Sequence, residues 1–277
     1  MNASSAAAAT GAQDPAATAE AFVSARLAAR ATPDYPGVLP TTMDEGYAVQ
    51  EIAIGLYPDQ IIGWKVGGVA PARQSALGTH RLAGPIFARN KWPIEGDVVV
   101  KAIEGGFTAI EAEFLVRIGP NVDPAKTEWT IEEATAAVDG VFIGLEIAGS
   151  PLSAINDLGS AVVASDFGNN GGLVIGPELT DWRDRMDAIQ VETIIDGVSV
   201  GTGGSLSLVG GALESVRFLL EHCARWGRPL TAGTLVSTGA VTGVHRIYAG
   251  SESTCVFEGV GEVRCTVVKA APHPTSD

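Results

Sequence analysis

The sequence has little of what marks secreted, membrane-spanning or zinc-binding proteins. It contains three cysteines among 277 residues, an odd number without the spacing of a metal motif, so a disulfide framework is not expected. No stretch approaches the roughly 20 consecutive apolar residues that cross a bilayer. The first residues lack a basic segment followed by a leucine-rich one, so a secretory signal is not expected either. Together these absences predict a protein of the reducing cytoplasm.

Positive charge is also scarce. Lysine and arginine number 18 against 32 aspartates and glutamates, which gives a formal net charge of -14. Such an excess of negative charge argues against nucleic acid and against an anionic membrane surface as partners. Hydrophobic residues make up 46% and charged residues 18%, so the chain can bury a sizeable core. Its length predicts one large domain, or a core with a smaller part.

Several common catalytic motifs are missing as well. The sequence has no phosphate-binding loop, no Gly-x-Ser-x-Gly nucleophile motif and no His-Glu-x-x-His zinc motif. The glycines of residues 201–204 follow a predicted strand, but no helix and acidic residue complete a dinucleotide-binding motif. The four histidines are scattered, and His222 fits a packing or surface position on a helix better than a ligand position.

Three glutamates in apolar surroundings form the clearest candidate site. Glu111 and Glu113 lie in the run A-I-E-A-E-F-L-V, and Glu146 lies in V-F-I-G-L-E-I. Alternate residues of a strand share a face, so Glu111 and Glu113 are expected on the same side. Like charges in apolar surroundings repel and lose hydration, and a hard divalent cation such as Mg²⁺ or Mn²⁺ relieves both effects. The alternative is an edge strand whose wet face carries the two glutamates, although a buried Glu146 is unusual without a partner.

Lys65 is the second unusual residue, because it lies between Trp64 and Val66 in the apolar segment I-I-G-W-K-V-G-G. A lysine in such a strand either extends its ammonium group to solvent or points it into a polar cavity. Facing a carboxylate cluster it would stay charged, whereas burial alone would lower its pKa toward the range of proton transfer. A structural lysine and a catalytic lysine are both compatible with the sequence.

Helix start signals predict an N-terminal helical lobe. Residues 1–13 are rich in alanine and are expected to form a flexible tail, and Asp14 followed by proline predicts the beginning of a first helix. Thr42 and Glu45 have the spacing of a capping box for a second helix. The helical lobe is therefore expected to span residues 14–57.

The remaining residues, 58–270, are expected to form a β-rich core. Asp196 and Gly197 predict a two-residue hairpin turn, and the apolar spacing of residues 211–226 predicts one long helix. The predicted strands are 61–66, 97–103, 109–118, 141–147, 172–175, 188–195, 198–202, 235–238, 253–257 and 262–268.

Five segments, taken together, resemble a known enzyme family. The segments G-W-K-V-G, A-I-E-A-E-F, G-L-E-I, G-G-L-V-I-G and L-T-A-G-T-L-V-S-T-G-A-V-T-G occur in the order seen in the fumarylacetoacetate hydrolase superfamily. The sequence is most similar to its branch of 2-keto-4-pentenoate hydratases and 4-oxalocrotonate decarboxylases from aromatic meta-cleavage pathways. The resemblance extends from the second helix to about residue 268. It implies an α+β fold with a mixed β-sheet roll, a Mg²⁺ or Mn²⁺ cofactor, a small 2-oxo acid substrate and a homo-oligomer.

The resemblance also implies roles for individual residues. Lys65 corresponds to the lysine of the family's G-W-K motif and would serve as an acid/base or as an anchor for the substrate carboxylate. The carboxylates that bind metal in the family correspond to Glu111, Glu113 and Glu146. The polar turn beside the substrate corresponds to Ser237, Thr238 and Gly239.

The sequence departs from the family pattern at four places. Gly149 stands where hydratases of this branch have an acid after the third ligand, and the segment around Ala83 lacks another usual acid. The usual A-G-D ends in Thr234, and the usual D-N-A-S becomes D-F-G-N-N over residues 166–170. These departures leave the metal ligands intact but change the proton-transfer groups. Asp166 and Asn169 are therefore further catalytic candidates.

The leading hypothesis is a divalent-metal-dependent hydratase, a lyase that adds water to a small 2-hydroxy-2,4-dienoate or 2-oxo-4-enoate. The same chelated enolate would also serve decarboxylation of a 2-oxo-enedioate or C–C hydrolysis of an acylpyruvate, so the three glutamates do not distinguish these reactions. A diacid needs a cation for its second carboxylate, and the candidates are Arg73, Arg81 and Arg89. A hypothesis of another class is a binding protein that keeps the fold without turnover, because two acids have been lost.

Overall fold

The computed structural model describes residues 14–93 and 98–274, and its combination of helices with mixed sheets confirms the predicted α+β class. The predicted tail over residues 1–13 lies outside the described residues. The first helices are α1 (Pro15–Leu27) and α2 (Met43–Leu56). Asp14 accepts hydrogen bonds from N–H groups of the first turn of α1, and Thr42 with Glu45 forms the capping box of α2. Both start signals in the sequence are therefore confirmed.

The described residues contain five further helices and thirteen strands. The helices are α3 (Pro71–Leu77), α4 (Ile131–Ala136), α5 (Ser160–Ser165), α6 (Trp182–Arg185) and α7 (Ala212–Arg225). The strands of the first half are β1 (Ile61–Gly68), β2 (Arg81–Phe87), β3 (Lys91–Pro93), β4 (Val99–Ala102), β5 (Phe107–Ile118) and β6 (Val138–Ser150). Those of the second half are β7 (Asn170–Glu178), β8 (Val191–Ile195), β9 (Val198–Gly203), β10 (Leu235–Ser237), β11 (His245–Arg246), β12 (Glu252–Phe257) and β13 (Gly261–Lys269).

The larger sheet places the strand with the two glutamates at its centre. Its order is β2-β1-β10-β5-β6-β7-β3, with β11 also paired to β5. The strand β5 lies antiparallel to both β10 and β6, and every one of its residues is buried except the half-buried Arg117. The alternative of an edge strand with a wet face is therefore wrong, because both edges of β5 are paired and both faces are covered.

A second sheet covers the apolar face of β5. Its order is β4-β13-β12-β8-β9, and the ring of Phe114 on β5 meets that of Phe257 on β12 with centroids 5.5 Å apart. The hairpin predicted at Asp196 and Gly197 joins β8 to β9, and both residues have the positive φ that this tight turn requires. The apolar side of β5 thus belongs to the core between the sheets, while the glutamates point to the other side.

The sequence patterns did not predict β2, because Pro85 and Gly84 interrupt its apolar run. Proline cannot donate to a neighbouring strand, which makes it unfavourable inside a sheet. Among the described strands, β2 pairs only with β1 and forms the edge of the sheet, where proline is tolerated. A Cβ at Gly84 would lie 2.1 Å from the carbonyl oxygen of Phe167, so the close approach of that segment requires glycine.

The N-terminal helices pack directly on the segments around the larger sheet. The buried amide of Gln50 on α2 donates to the carbonyl oxygens of Ala83 and Ala164, at 3.1 and 2.7 Å. The division into a helical lobe and a core at residue 58 stays a prediction. In the described part of the chain, no helix is both long and apolar enough to cross a membrane.

Candidate functional site

The three glutamates meet on one face of the central strands. Glu111 of β5 pairs directly with Glu146 of β6, and Glu113 lies two residues further along the same face. Each of the three offers a carboxylate oxygen, and these oxygens lie within 4.8 Å of one another. All three side chains are buried, Glu113 and Glu146 completely. The alternation along β5 therefore brings the glutamates together as the sequence predicts.

Neighbouring strands fix two of the carboxylates. The Ser237 hydroxyl donates to Glu113 Oε2 at 2.5 Å, and the Gly239 N–H donates to the same oxygen at 2.8 Å. The amide of Asn170 donates to Glu146 Oε1 at 2.9 Å. Glu113 Oε1 is buried without a hydrogen-bond partner among the described residues. An unpartnered buried carboxylate oxygen is costly, and it marks the place where a ligand is needed.

Lys65 points into this cluster rather than to solvent. Its ammonium nitrogen lies 3.1 Å from Glu146 Oε2, and the side chain is almost completely buried. Burial alone would lower the pKa of Lys65, but the carboxylates, Glu146 foremost, raise it above its usual value. The solvent-extending alternative is therefore wrong, and Lys65 is an ammonium ion that faces the glutamates.

One ammonium group does not balance the negative charge of the cluster. Burial raises the pKa of Glu111 to about 7, although the charge of Lys65 opposes this shift. Burial and the neighbouring carboxylates raise the pKa of Glu113 well above its ordinary value. Buried, mutually repelling oxygens with one position unpartnered fit a hard divalent cation, which prefers oxygen ligands. The donor set thus fits Mg²⁺ or Mn²⁺.

A cavity of about 570 Å³ opens beside the cluster, a volume typical of small-ligand sites. Lys65 and Glu111 contribute to its wall, as do Thr238 and Gly239 of the predicted polar turn. Ser237 does not line the cavity, since its side chain is used to hold Glu113. Thr238 and Gly239 of the predicted turn therefore line the cavity, whereas Ser237 holds a carboxylate.

Asn169 and Asp166, the two further catalytic candidates, have different surroundings. Asn169 lines the cavity, and its buried Oδ1 has no hydrogen-bond partner among the described residues. Asp166 does not line the cavity, and both of its carboxylate oxygens accept hydrogen bonds at 2.6 Å, from Arg26 and from Ser150. A carboxylate engaged on both oxygens is poorly placed to move a proton, so the geometry argues against the catalytic role predicted for Asp166.

Two of the three arginines predicted from the sequence line the cavity. Arg73 and Arg81 line the cavity, and Arg81 also donates to the carbonyl oxygen of Val209. Arg89 does not line the cavity and instead forms an ion pair with Asp59 at 3.1 Å. Of the three arginines considered as partners of a second substrate carboxylate, Arg89 therefore lies away from the cavity.

Sequence reasoning did not find Arg26, Ser150 and Asn170, which lie behind the glutamates. An arginine near the end of a helix or a serine at the end of a strand carries no signal of a buried partner. The structure also accounts for glycine at position 149, where the family usually has an acid. A Cβ at this position would lie 3.2 Å from the Cα of Gly171. The strands β6 and β7 approach closely at this point and leave little room for an acidic side chain.

Residues 80–268, more than half of the chain, match the family described as fumarylacetoacetate (FAA) hydrolase C-terminal. The chain belongs to the fumarylacetoacetate hydrolase family. A 2-keto-4-pentenoate hydratase from Paraburkholderia xenovorans LB400 is 28% identical over 231 residues, which cover 80% of this chain and 82% of the relative. A 4-oxalocrotonate decarboxylase from Pseudomonas putida is 27% identical over 247 residues, which cover 86% of this chain and 89% of the relative.

A solved structure from Pseudomonas putida has the same fold. The 4-oxalocrotonate decarboxylase from Pseudomonas putida G7, complexed with magnesium and adipate, superposes with a TM-score of 0.75. Its sequence is 22% identical, and the match covers 92% of this chain and 97% of the other. The family and the enzyme character predicted from the sequence are thereby confirmed. The solved structure shows that the fold is shared.

Proposed function

We propose that the protein is a divalent-metal-dependent lyase that adds water to a small 2-hydroxy-2,4-dienoate or 2-oxo-4-enoate. The observation that carries the proposal is the buried group of Glu111, Glu113 and Glu146 beside a cavity that Lys65 also lines. The relatives named 2-keto-4-pentenoate hydratase support the same reaction.

Glu111, Glu113 and Glu146 would hold a Mg²⁺ or Mn²⁺ ion. When bound, such an ion supplies Lewis-acid stabilisation for the negative charge that develops on the 2-oxygen of the substrate. The unpartnered Glu113 Oε1 supports this assignment, because nothing among the described residues satisfies it. Ser237 and the Gly239 N–H would then act by keeping Glu113 in place.

Lys65 would bind the substrate carboxylate or donate a proton to the substrate carbon chain. The carboxylates keep its ammonium group protonated, so Lys65 would not act as a base in this state. Asn169 lines the same cavity, its amide oxygen has no hydrogen-bond partner among the described residues, and it would orient the water that adds to the substrate. The Thr238 hydroxyl at the cavity wall donates to the carbonyl oxygen of Phe114 at 2.8 Å, so it would serve the substrate as an acceptor.

A second candidate is decarboxylation of a 2-oxo-enedioate, and the arginines of the cavity favour it. Arg73 and Arg81 line the cavity, and a guanidinium group there would pair with the second carboxylate of a diacid. Relatives named 4-oxalocrotonate decarboxylase are similar to the chain to about the same degree as the hydratases.

Turnover of matched monoacid and diacid substrates separates the two reactions. Protein supplied with Mn²⁺ is offered 2-hydroxypenta-2,4-dienoate and a 2-oxo-enedioate, and the products are identified by mass. A hydratase yields a product that has gained one water, whereas a decarboxylase yields one that has lost carbon dioxide. The variant Arg81→Gln should raise the KM for the diacid and leave the KM for the monoacid unchanged. If neither substrate is converted with Mn²⁺ or Mg²⁺ present, the proposed function is refuted.

A further inference from the structure

Arg26 is an arginine of the N-terminal helix α1 whose guanidinium group is buried beneath the larger sheet. Only 9% of its side chain is exposed. It donates to Asp166 Oδ1 at 2.6 Å, to the carbonyl oxygen of Gly149 at 2.8 Å and to that of Asn170 at 2.9 Å. A buried guanidinium group is favourable only when it is paired and its N–H groups are bonded, and here both conditions hold.

The partners of Arg26 lie next to the carboxylate cluster in the chain. Gly149 follows Glu146 by three residues on β6, and Asn170 begins the neighbouring strand β7. The backbone of Asn170 accepts from Arg26, while its side-chain amide donates to Glu146 Oε1 at 2.9 Å. Two hydrogen bonds therefore connect the guanidinium group to a carboxylate of the cluster.

Arg26 also holds a strained turn at the wall of the cavity. Phe167, Gly168 and Asn169 have φ angles of 53°, 62° and 62°, a left-handed conformation that is unfavourable for phenylalanine. The guanidinium carbon of Arg26 lies 5.0 Å from the centre of the Phe167 ring, and its bond to Asp166 fixes the residue just before the turn. Strain of this kind persists only where surrounding contacts determine the conformation.

Residues 167–169 also lie beside Lys65 and the cavity. A Cβ at Gly168 would lie 3.2 Å from Cδ of Lys65, and Asn169 lines the cavity. A displacement of residues 167–169 would therefore disturb both Lys65 and Asn169.

We propose that Arg26 is a positioning residue that fixes Glu146, through Asn170, for cation binding. The inference rests on the proposed function, since it assumes that Glu146 is a ligand. An arginine of the N-terminal helix then supports the site from behind, since Arg26 does not line the cavity. Partners of this kind, which orient metal ligands, commonly change metal affinity by about 10- to 100-fold when they are removed.

The affinity for Mn²⁺, measured without any substrate, tests this role directly. The Kd is obtained from the electron paramagnetic resonance signal of free Mn²⁺, for wild type, Arg26→Lys, Asn170→Ala and the double variant. Each single variant should weaken binding by about tenfold or more. The double variant should weaken it by less than the product of the two single effects, because both changes break the same connection.

Arg228→Lys is the matched control. Arg228 also connects an N-terminal helix to the rest of the chain, through a 2.8 Å ion pair with Glu51 of α2, but among the described residues its side chain bonds only to Glu51. Its Kd for Mn²⁺ should stay within about twofold of wild type at a temperature well below the melting temperatures of all variants. A residue with a purely structural role lowers the melting temperature without changing the Kd.

Two outcomes would overturn the inference in different ways. If Arg26→Lys folds and binds Mn²⁺ within about twofold of wild type, Arg26 has no positioning role although the cation site stands. If wild type itself binds no Mn²⁺, the proposed cation site is refuted and the inference with it. Should Arg26→Lys not fold, Asp166→Asn replaces it, since this change keeps the shape of the partner but loosens the guanidinium group, and the same comparison of Kd values decides.

Discussion

Three carboxylates buried side by side are unfavourable unless something compensates their charge. Lys65 supplies one positive charge at 3.1 Å from Glu146, and hydrogen bonds from Ser237 and Gly239 satisfy one oxygen of Glu113. The raised pKa values of Glu111 and Glu113 indicate that this compensation is incomplete. The arrangement of these residues therefore fits a bound cation, which would supply the missing positive charge.

Replacing Glu111 by glutamine should have opposite effects on the stability of the metal-free protein and on cation binding. Glu111→Gln keeps the size of the side chain and removes one of the mutually repelling charges, so metal-free protein should unfold at an equal or higher temperature. A gain of about 1 kcal/mol would raise the melting temperature by roughly 2–4 °C for a chain of this size. Calorimetry of metal-free protein measures this, and Mn²⁺ binding should weaken strongly in the same variant. A variant that is unfolded, or that binds Mn²⁺ like wild type, would show that Glu111 is structural.

Replacing Lys65 by methionine tests its catalytic role. Lys65→Met should cut turnover by about 10²-fold or more, the usual contribution of a positioned acid or base, and keep Mn²⁺ affinity within about tenfold. Its raised pKa keeps the ammonium group charged through neutral pH, so activity that requires it should fall only on the alkaline side. The pH–rate profile of the variant should lack this alkaline limb. Near-normal turnover, or a limb that persists, would assign the role to another group.

The sequence predicted the cluster because strand alternation is a local property. Glu111 and Glu113 share a face whatever the neighbours of β5 are, and the apolar run around Glu146 indicated burial. The roles of Arg26 and Asn170 depend on which strands and helices pack together, which no local pattern contains. The turn at residues 167–169 has a weak local signal, because a glycine followed by asparagines favours left-handed backbone.

Helices and strands with strong local signals were predicted within a few residues. Capping at Asp14 and Thr42 located α1 and α2, and apolar spacing located α7. The strand β2 was missed because Pro85 is acceptable only at the edge of a sheet, and its edge position is a tertiary property. Local sequence patterns therefore miss a strand whose formation depends on its position in the sheet.

Helix α7 contains a histidine whose burial makes the stability of the protein pH-dependent. His222 packs against the rings of Tyr47, Phe218 and Trp226. Burial, with a smaller contribution from the charge of Arg225, lowers the pKa of His222 to about 4. Between this value and the ordinary 6.5, the unfolded chain binds a proton that the folded protein does not, so stability falls as the pH is lowered through this window.

The comparison with His222→Gln isolates this contribution. Between pH 6.5 and pH 4, the free energy of unfolding of wild type should fall by up to about 3 kcal/mol more than that of the variant. Urea unfolding at a series of pH values measures both curves. Parallel curves for the two proteins would show that His222 is protonated to the same extent in the folded and unfolded states.

At the scale of the whole molecule, membership of the family establishes the fold and the enzyme character. The specific reaction is a proposal, which rests on the residues that line the cavity. The cytoplasmic location, the homo-oligomer and the flexible tail stay predictions from the sequence. The larger sheet gathers the glutamates from β5 and β6, Lys65 from β1 and the polar turn after β10 into one site. A cation at that site would connect these strands and stabilise the folded chain, since it binds the native state only.

Binding of Mn²⁺ to protein freed of metal with a chelator tests the central claim most directly. We predict that a titration followed by electron paramagnetic resonance shows about one tightly bound ion per chain, that the melting temperature rises with Mn²⁺ concentration, and that chelator reverses the rise. A protein that binds no Mn²⁺ and melts at the same temperature with and without chelator would contradict the assignment of Glu111, Glu113 and Glu146 as a cation site.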